Sequence, residues 1–277
     1  MRITGRVDGR FDVTVAATPD GWVTAGHRNL TRWDGAEPRD PWVLDAPHPG
    51  RLAWVEAAQA LAWGAQVVDG DGFRWSGAAW DVPRFEAVDG VVSGDVALVC
   101  VALRRPQSRT VGAPSVSDTS RLAIVDPAAG EVVEQLDPAL PTAMLWGDGP
   151  LALGFPGRVD VRGDDGVWTT HDLGERTGVS RLAHIPEGLA VGTASGRLGV
   201  GSLPDAHDGP VSALAATDDG LLSGGRDGRL RRWAGGCELL DELDLGGAVL
   251  DLAAAGAQAV ALVDDEGTSV VFIDLTS

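Results

Sequence analysis

The chain contains no lysine and no tyrosine, and Asn29 is its only asparagine, a bias that marks a GC-rich coding sequence and predicts a bacterial source. Only Cys100 and Cys237 are present, each inside a stretch that reads as strand. Two such cysteines exclude a disulfide framework or a zinc site and predict buried, reduced thiols. No apolar run approaches the ~20 residues that a membrane-spanning helix needs. The opening segment Met1-Arg-Ile-Thr-Gly-Arg-Val-Asp8 lacks the apolar core of a signal peptide, so the expected location is cytoplasmic, without a membrane partner. Positive charge is scarce: 22 basic residues face 40 acidic ones, for a net charge of −18. Such a surface repels phosphate backbones and anionic membranes, which argues against nucleic-acid binding and for a soluble, self-repelling particle.

What the chain does have is turns and a repeat. Its 38 glycines and 16 prolines suit a fold with many tight connections, and an apolar content of 44% is ordinary for a globular domain. A short apolar strand, an Asp-Gly turn, a strand ending in glycine, then arginine and another strand recur along the sequence. The fullest copy is G-P-V-S-A-L-A-A-T-D-D-G-L-L-S-G-G-R-D-G-R-L-R-R-W, from Gly209 to Trp233. A four-stranded unit of this size cannot bury its own faces, so repetition at roughly 40 residues implies stacked units, most often a β-propeller.

Runs of Val, Ile, Leu and Trp bounded by Gly, Asp and Pro group in fours into seven sets, near 11–48, 51–86, 87–137, 142–174, 178–205, 209–245 and 248–275. In the second set, L-A-W-V-E, L-A-W-G-A-Q-V-V, G-F-R-W and A-A-W-D-V read as its strands, and the fifth set has lost most of its outer strand. The last set offers only three strands, while residues 2–7 form a lone strand before the first. Pairing of Ile3 and its neighbours with V-V-F-I-D-L would close the ring and leave no free sheet edge at the join. The expected fold is therefore all-β, a single seven-bladed β-propeller over 1–277, with six and eight blades also compatible with the spacing.

At the sixth set the residues become specific. His207-Asp-Gly-Pro-Val-Ser-Ala-Leu214 and Leu222-Ser-Gly-Gly-Arg-Asp-Gly-Arg-Leu-Arg-Arg-Trp233 resemble a repeat of the WD-repeat propellers, with Ala206 where glycine is usual. The resemblance covers the whole chain in period and this one set in detail. It implies that His207, Ser223, Asp227 and Trp233 form a hydrogen-bonded lock within one blade. The chemistry suits that role, since a turn aspartate can orient a histidine and a buried indole N–H needs an acceptor. The first set keeps Thr24 and Trp33-Asp34 but has the shorter turn Gly26-His-Arg-Asn29. The turn Asp126-Pro-Ala-Ala-Gly-Glu131 in the third set looks equally like that of quinoprotein-type propellers.

Catalysis finds little to work with. Ser223, His207 and Asp227 are the residue types of a hydrolase triad, yet the lock explains them. The five histidines, at 27, 48, 171, 184 and 207, are dispersed without ligand spacing, so no metal or cofactor is expected. Asp264-Asp265-Glu266 and Asp69-Gly-Asp71 lack a calcium loop's distal glutamate and read as hairpin turns.

Arginine is placed more regularly. Arg121, Arg158, Arg197 and Arg229 each begin a third strand, and the long insert from Arg104 to Ser120 carries Arg104, Arg105 and Arg109 before its first acid, Asp118. With Arg28 and Arg226, these side chains would share one face of a propeller, while Asp20, Asp164, Asp165, Glu187, Asp218 and Asp219 collect on the other. One reading makes the arginine face a dock for an acidic segment of another protein, because guanidinium forks bind carboxylates bidentately. The competing reading pairs these arginines with neighbouring acids of the same chain. Most of the ten tryptophans, among them Trp33, Trp54, Trp63, Trp75 and Trp233, sit at strand positions suited to packing between units. The expected function is a non-catalytic protein-interaction scaffold within a bacterial multi-protein system. The alternatives are a hydrolase or lactonase-type propeller enzyme and a ligand sensor using a central channel.

Overall fold

The computed structural model of the chain describes the backbone of residues 1–10, 14–26, 29–39, 42–43, 52–55, 60–63, 66–69, 72–75, 86–92, 99–104, 120–126, 131–136, 140–146, 149–174, 176–235 and 237–276. The regular structure among them is all β, in small antiparallel sheets with no helix. Two compact units hold these sheets: Met1–His48 with Thr142–Leu145 and Ala152–Ser277, and Pro49–Pro141 with Trp146–Leu151.

In the larger unit, β1 (Arg2–Arg10) is followed by a sheet of β2 (Thr14–Thr18), β3 (Gly21–Ala25), β4 (Asn29–Asp34), β5 (Glu37–Pro38) and β6 (Trp42–Val43), the last two both paired to β4. The smaller unit holds one sheet of β7 (Leu52–Val55), β8 (Ala60–Trp63), β9 (Gln66–Asp69) and β10 (Gly72–Trp75). Its second sheet contains β11 (Glu86–Val92), β12 (Val99–Arg104), β13 (Ser120–Asp126) and β14 (Glu131–Gln135). The larger unit resumes with β15 (Ala143–Leu145), β16 (Leu151–Phe155), β17 (Arg158–Arg162) and β18 (Trp168–Asp172). A three-stranded sheet follows, β19 (Val179–Ile185), β20 (Gly188–Thr193) and the two-residue β21 (Leu198–Gly199), which is the set expected to lack an outer strand. Next come β22 (Val211–Thr217), β23 (Gly220–Gly225), β24 (Arg229–Ala234) and β25 (Leu239–Asp244). The last sheet takes β26 (Ala248–Ala255), β27 (Gln258–Asp264) and β28 (Thr268–Asp274) from the C-terminal region and β1 as its fourth strand. β1 lies antiparallel to β28, with Arg2 opposite Asp274 and Ile3 opposite Ile273.

Three details differ from the strand reading of the sequence. The strand expected over 61–68 is a hairpin, β8 and β9, with Trp63 opposite Gln66 and the turn former Gly64 between them in sequence. G-F-R-W is therefore the fourth strand of its sheet, and A-A-W-D-V lies outside the described residues. Cys100 is buried in β12, but Cys237 is half-buried in the turn between β24 and β25, where its φ of 62° belongs to a left-handed turn and not to a strand.

Within the larger unit one joint recurs between successive sheets. The first strands β19, β22 and β26 each carry a β-bulge just after a valine, at Val179, Val211 and Val249. Each valine packs against a glycine of the preceding sheet: a Cβ on Gly154, Gly192 or Gly224 would lie 2.5, 2.7 or 2.4 Å from it. Hydroxyls tie the same seam. Thr142 Oγ1 donates to the Val179 carbonyl at 2.6 Å, Ser180 Oγ to that of Val211 at 2.6 Å, and Ser212 Oγ to that of Val249. Glycine lets the backbones approach, valine fills the gap with apolar surface, and the hydroxyl satisfies a carbonyl that the bulge leaves out of its ladder.

The last seam uses a carboxylate. Buried Asp251, on β26 two residues past the bulge valine, accepts from Thr14 Oγ1 at 2.6 Å and from the Val15 N–H at 3.0 Å, both on β2. Around it pack Trp22 and Trp33 from one sheet and Val260, Leu262, Val270 and Phe272 from the other, with Trp33 edge-on to Phe272 at 5.7 Å.

Candidate functional site

The glycine-rich end of β23 and the turn into β24 bring His207, Ser223, Asp227 and Trp233 together. Trp233 Nε1 lies 2.8 Å from Ser223 Oγ, Ser223 Oγ 2.7 Å from His207 Nε2, and His207 Nδ1 3.0 Å from Asp227 Oδ1. The indole can only donate and the carboxylate can only accept, and burial that keeps His207 neutral then fixes the direction of the bonds between them. Trp233 donates to Ser223, Ser223 to His207 Nε2, and the Nδ1–H of a neutral His207 to Asp227. Chains with one sense polarise each member in turn. Asp227 also accepts from the backbone N–H groups of Asp208 and Arg229, each at 3.1 Å, so the carboxylate caps its own turn. Gly225 lies beneath the pair, since a Cβ there would sit 2.3 Å from both His207 Nδ1 and Asp227 Oδ1.

Burial, the largest influence, pulls the His207 imidazole below its ordinary 6.5, against the opposing pull of Asp227. Burial pushes the Asp227 carboxyl up, but the Arg229 N–H, His207 and the Asp208 N–H outweigh it and leave Asp227 below the usual carboxylate range. Both depressed values act in one direction on stability. His207's contribution is complete above pH 6.5 and falls as acid is added, because the unfolded chain then takes up a proton that the folded chain refuses. Asp227's contribution is present above 3.8 and is lost below it, down to the folded value.

An aspartate, a histidine and a serine in line are also the parts of a nucleophilic triad, but here the serine cannot reach a substrate. Ser223 is 0% exposed and His207 6% exposed, and the serine hydroxyl is engaged on both sides. A nucleophile needs an open approach to its oxygen and an oxyanion hole beside it. The bond between Trp33 Nε1 and Thr24 Oγ1, 2.9 Å, repeats the indole-to-hydroxyl pair in the sheet of β2 to β6. Among the described residues no group of three or more His, Cys, Asp or Glu could hold a metal ion, and no helix is long and apolar enough to cross a membrane.

The arginines of the recurrent third-strand start have neighbours within their own sheets. Left-handed glycines, Gly157, Gly196 and Gly228 with φ of 81°, 90° and 81°, immediately precede Arg158, Arg197 and Arg229. Arg158 Nε donates to Asp160 at 3.1 Å, Arg197 Nε to Asp205 at 3.2 Å, and Arg229 Nη1 to Glu242 at 3.2 Å. Exposed pairs of this kind contribute about 0–1 kcal/mol each, so their value is in orienting the guanidinium. Arg226 is exposed, with no ion pair among the described residues, and its N–H donates to the Pro210 carbonyl. Arg104 and Arg121 lie in paired strands, with Arg104 opposite Ser120 and Leu103 opposite Arg121, but their side chains lie outside the described residues. Arg28, Arg105 and Arg109 lie outside them altogether. Asp20, Asp164, Asp165, Glu187, Asp218 and Asp219 are all exposed turn residues.

One charged cleft was not anticipated from the sequence. Arg158, Thr170, Asp172 and Arg176 line a hollow of about 450 Å³ beside the turn from β16 into β17. Arg176 and Asp172 had no strand register or repeat to single them out, because Arg176 falls in the link G-E-R-T-G between two sets.

No family model matches this chain, and no curated protein does either. Among solved structures it resembles the crystal structure of the computationally designed Ika8 protein, with a TM-score of 0.65 and 15% identity over 96% of this chain and 98% of that one. It also resembles PorZ, an essential bacterial surface component of the type-IX secretion system of Porphyromonas gingivalis, with a TM-score of 0.59 and 13% identity over 96% of this chain. The match spans 38% of the PorZ chain. At these identities the likeness is one of fold.

Proposed function

We propose that this chain is a seven-bladed, WD-repeat-like β-propeller that works as a non-catalytic, cytoplasmic protein-interaction scaffold, one component of a bacterial multi-protein system. The observation that carries the reading is the sealed network of Trp233, Ser223, His207 and Asp227. The one Asp–His–Ser alignment among the described residues is buried and fully hydrogen-bonded, which suits a lock and not a catalyst. The seven small sheets among the described residues, with β1 completing the last of them, support a repeat array that leaves its turns free to present side chains. The arginine-rich insert between β12 and β13 is the contact proposed for an acidic segment of the partner.

The test is affinity capture from the native cell, with the wild-type chain beside a folded Arg104→Glu/Arg105→Glu/Arg109→Glu variant. The expected result is one specific protein retained by the wild type and lost by the variant. A chain that captures no specific protein but hydrolyses esters or lactones would overturn the scaffold reading.

A further inference from the structure

We propose that the cleft between the β16–β17 turn and the link after β18 binds a carboxylate carried by an extended peptide, held by Arg158 and Arg176, while Asp172 accepts a backbone N–H of the same peptide. This deepens the scaffold reading and rests on it.

The cleft is constructed around Arg158. Left-handed Gly157 turns the chain so that Arg158 opens β17 at the mouth of the hollow. Its guanidinium carbon stands 4.7 Å from the centre of the Phe155 ring, and its Nε donates to Asp160 Oδ2. The other oxygen of Asp160 accepts from Thr170 Oγ1 at 2.7 Å, on the neighbouring strand where Thr170 stands opposite Asp160. The ring below and the carboxylate beside it fix the plane of the guanidinium, while its terminal nitrogens have no partner among the described residues. Its side chain is 42% exposed, so that edge faces the hollow with little more ordering entropy to lose on binding. Arg176, on the other wall, is exposed and has no ion pair among the described residues.

The acids of the cleft decide the kind of ligand. Asp160 is committed to Arg158 and Thr170, whereas Asp172 uses one oxygen for the Gly174 N–H at 2.8 Å and keeps the other. Among the described residues, Arg158 and Arg176 stand against the lining Asp172 and the neighbouring Asp160, so a bare anion gains little field and meets Asp172 as a like charge. A ligand that brings a carboxylate for the arginines and an N–H for Asp172 satisfies every group, and an acidic residue in a peptide brings both. The chain's net charge of −18 opposes a long acidic tract at a distance, but beyond about 8 Å that field is screened at physiological ionic strength. The cleft therefore suits one or two carboxylates at close range.

The test is a nitrogen-15 NMR titration of the full chain with N-acetyl-glutamate N-methylamide, followed at the arginine Nε–Hε resonances. Saturable shifts are expected at Arg158 and Arg176. Arg158→Gln and Arg176→Gln should each weaken binding about tenfold, as should changing the ligand to its glutamine counterpart or to inorganic phosphate, while Arg2→Gln, at an exposed arginine paired with Asp274, leaves it unchanged. The spectra themselves report whether each variant is folded. Resonances that stay in place up to about 50 mM ligand, where a millimolar site is saturated, would overturn the proposal. So would phosphate binding as tightly as the glutamate derivative. Because the titration needs no cellular partner, it can fail while affinity capture succeeds, and succeed while capture fails.

Discussion

Replacing Ser223 with alanine should lower the stability of the chain by about 3 kcal/mol, the largest loss expected from removing a single oxygen atom here. The hydroxyl is the only link between Trp233 Nε1 and His207 Nε2, and at 0% exposure no water takes its place. Each orphaned buried group costs about 1–3 kcal/mol, and two are created at once. For a chain of this size the thermal midpoint moves by about 2–4 °C per kcal/mol, so a drop on the order of 10 °C is expected in calorimetry. Ser223→Thr should lose far less, because Thr24 already serves Trp33 in the same way elsewhere in the larger unit. If the alanine and threonine variants melt together within a degree or so of the wild type, the network is ornamental and the lock interpretation fails.

Asp251→Ala should be comparably damaging, by about 2–4 kcal/mol, for a related reason in a different place. Thr14 and Val15, 2% and 3% exposed, both donate to Oδ2 of Asp251. Its removal takes away the acceptor shared by the Thr14 hydroxyl and the Val15 N–H at the seam between β26 and β2. Since a single oxygen receives both bonds, Asp251→Asn can keep an acceptor there and should lose less than half as much. Chemical denaturation of the two variants beside the wild type checks this order. An asparagine variant as unstable as the alanine variant would show that the charge, and not the acceptor, holds the seam.

The different legibility of these features in the sequence has physical causes. The lock quartet could be placed at His207, Ser223, Asp227 and Trp233 because its members stand at fixed offsets around one hairpin, where local chain geometry determines who meets whom. The pairing of β1 with β28 was open to the same logic, since a lone strand at one end and an incomplete set at the other leave two edges that need each other. The seams were harder to see. V-S-R-L-A at 179–183 and V-S-A-L-A at 211–215 repeat the valine and serine that pack and bond across them, but their partners are glycines and carbonyls of another sheet, which carry no side-chain signal. Asp251 occupies the same inner-strand position as Arg181 and Ala213, so the repeat by itself assigns no residue type there. The hairpin of β8 and β9 was read as one strand because its apolar run continues through the turn. Arg176 belongs to a connecting link, and only the folded backbone brings it to the same hollow as Arg158.

The protonation of His207 tests the central claim most directly, because a lock and a catalytic triad share the neutral Nδ1–H imidazole, and what separates them is burial that keeps His207 from taking up a proton. Nitrogen-15 NMR of the imidazole from pH 8 to pH 4 should show the proton on Nδ1 and a titration midpoint below 6.5, with folding stability declining over the same acid range. A His207 that titrates at or above 6.5 would show that burial does not hold the imidazole neutral, and a proton on Nε2 would show that Ser223 does not donate to it; either result would contradict the account.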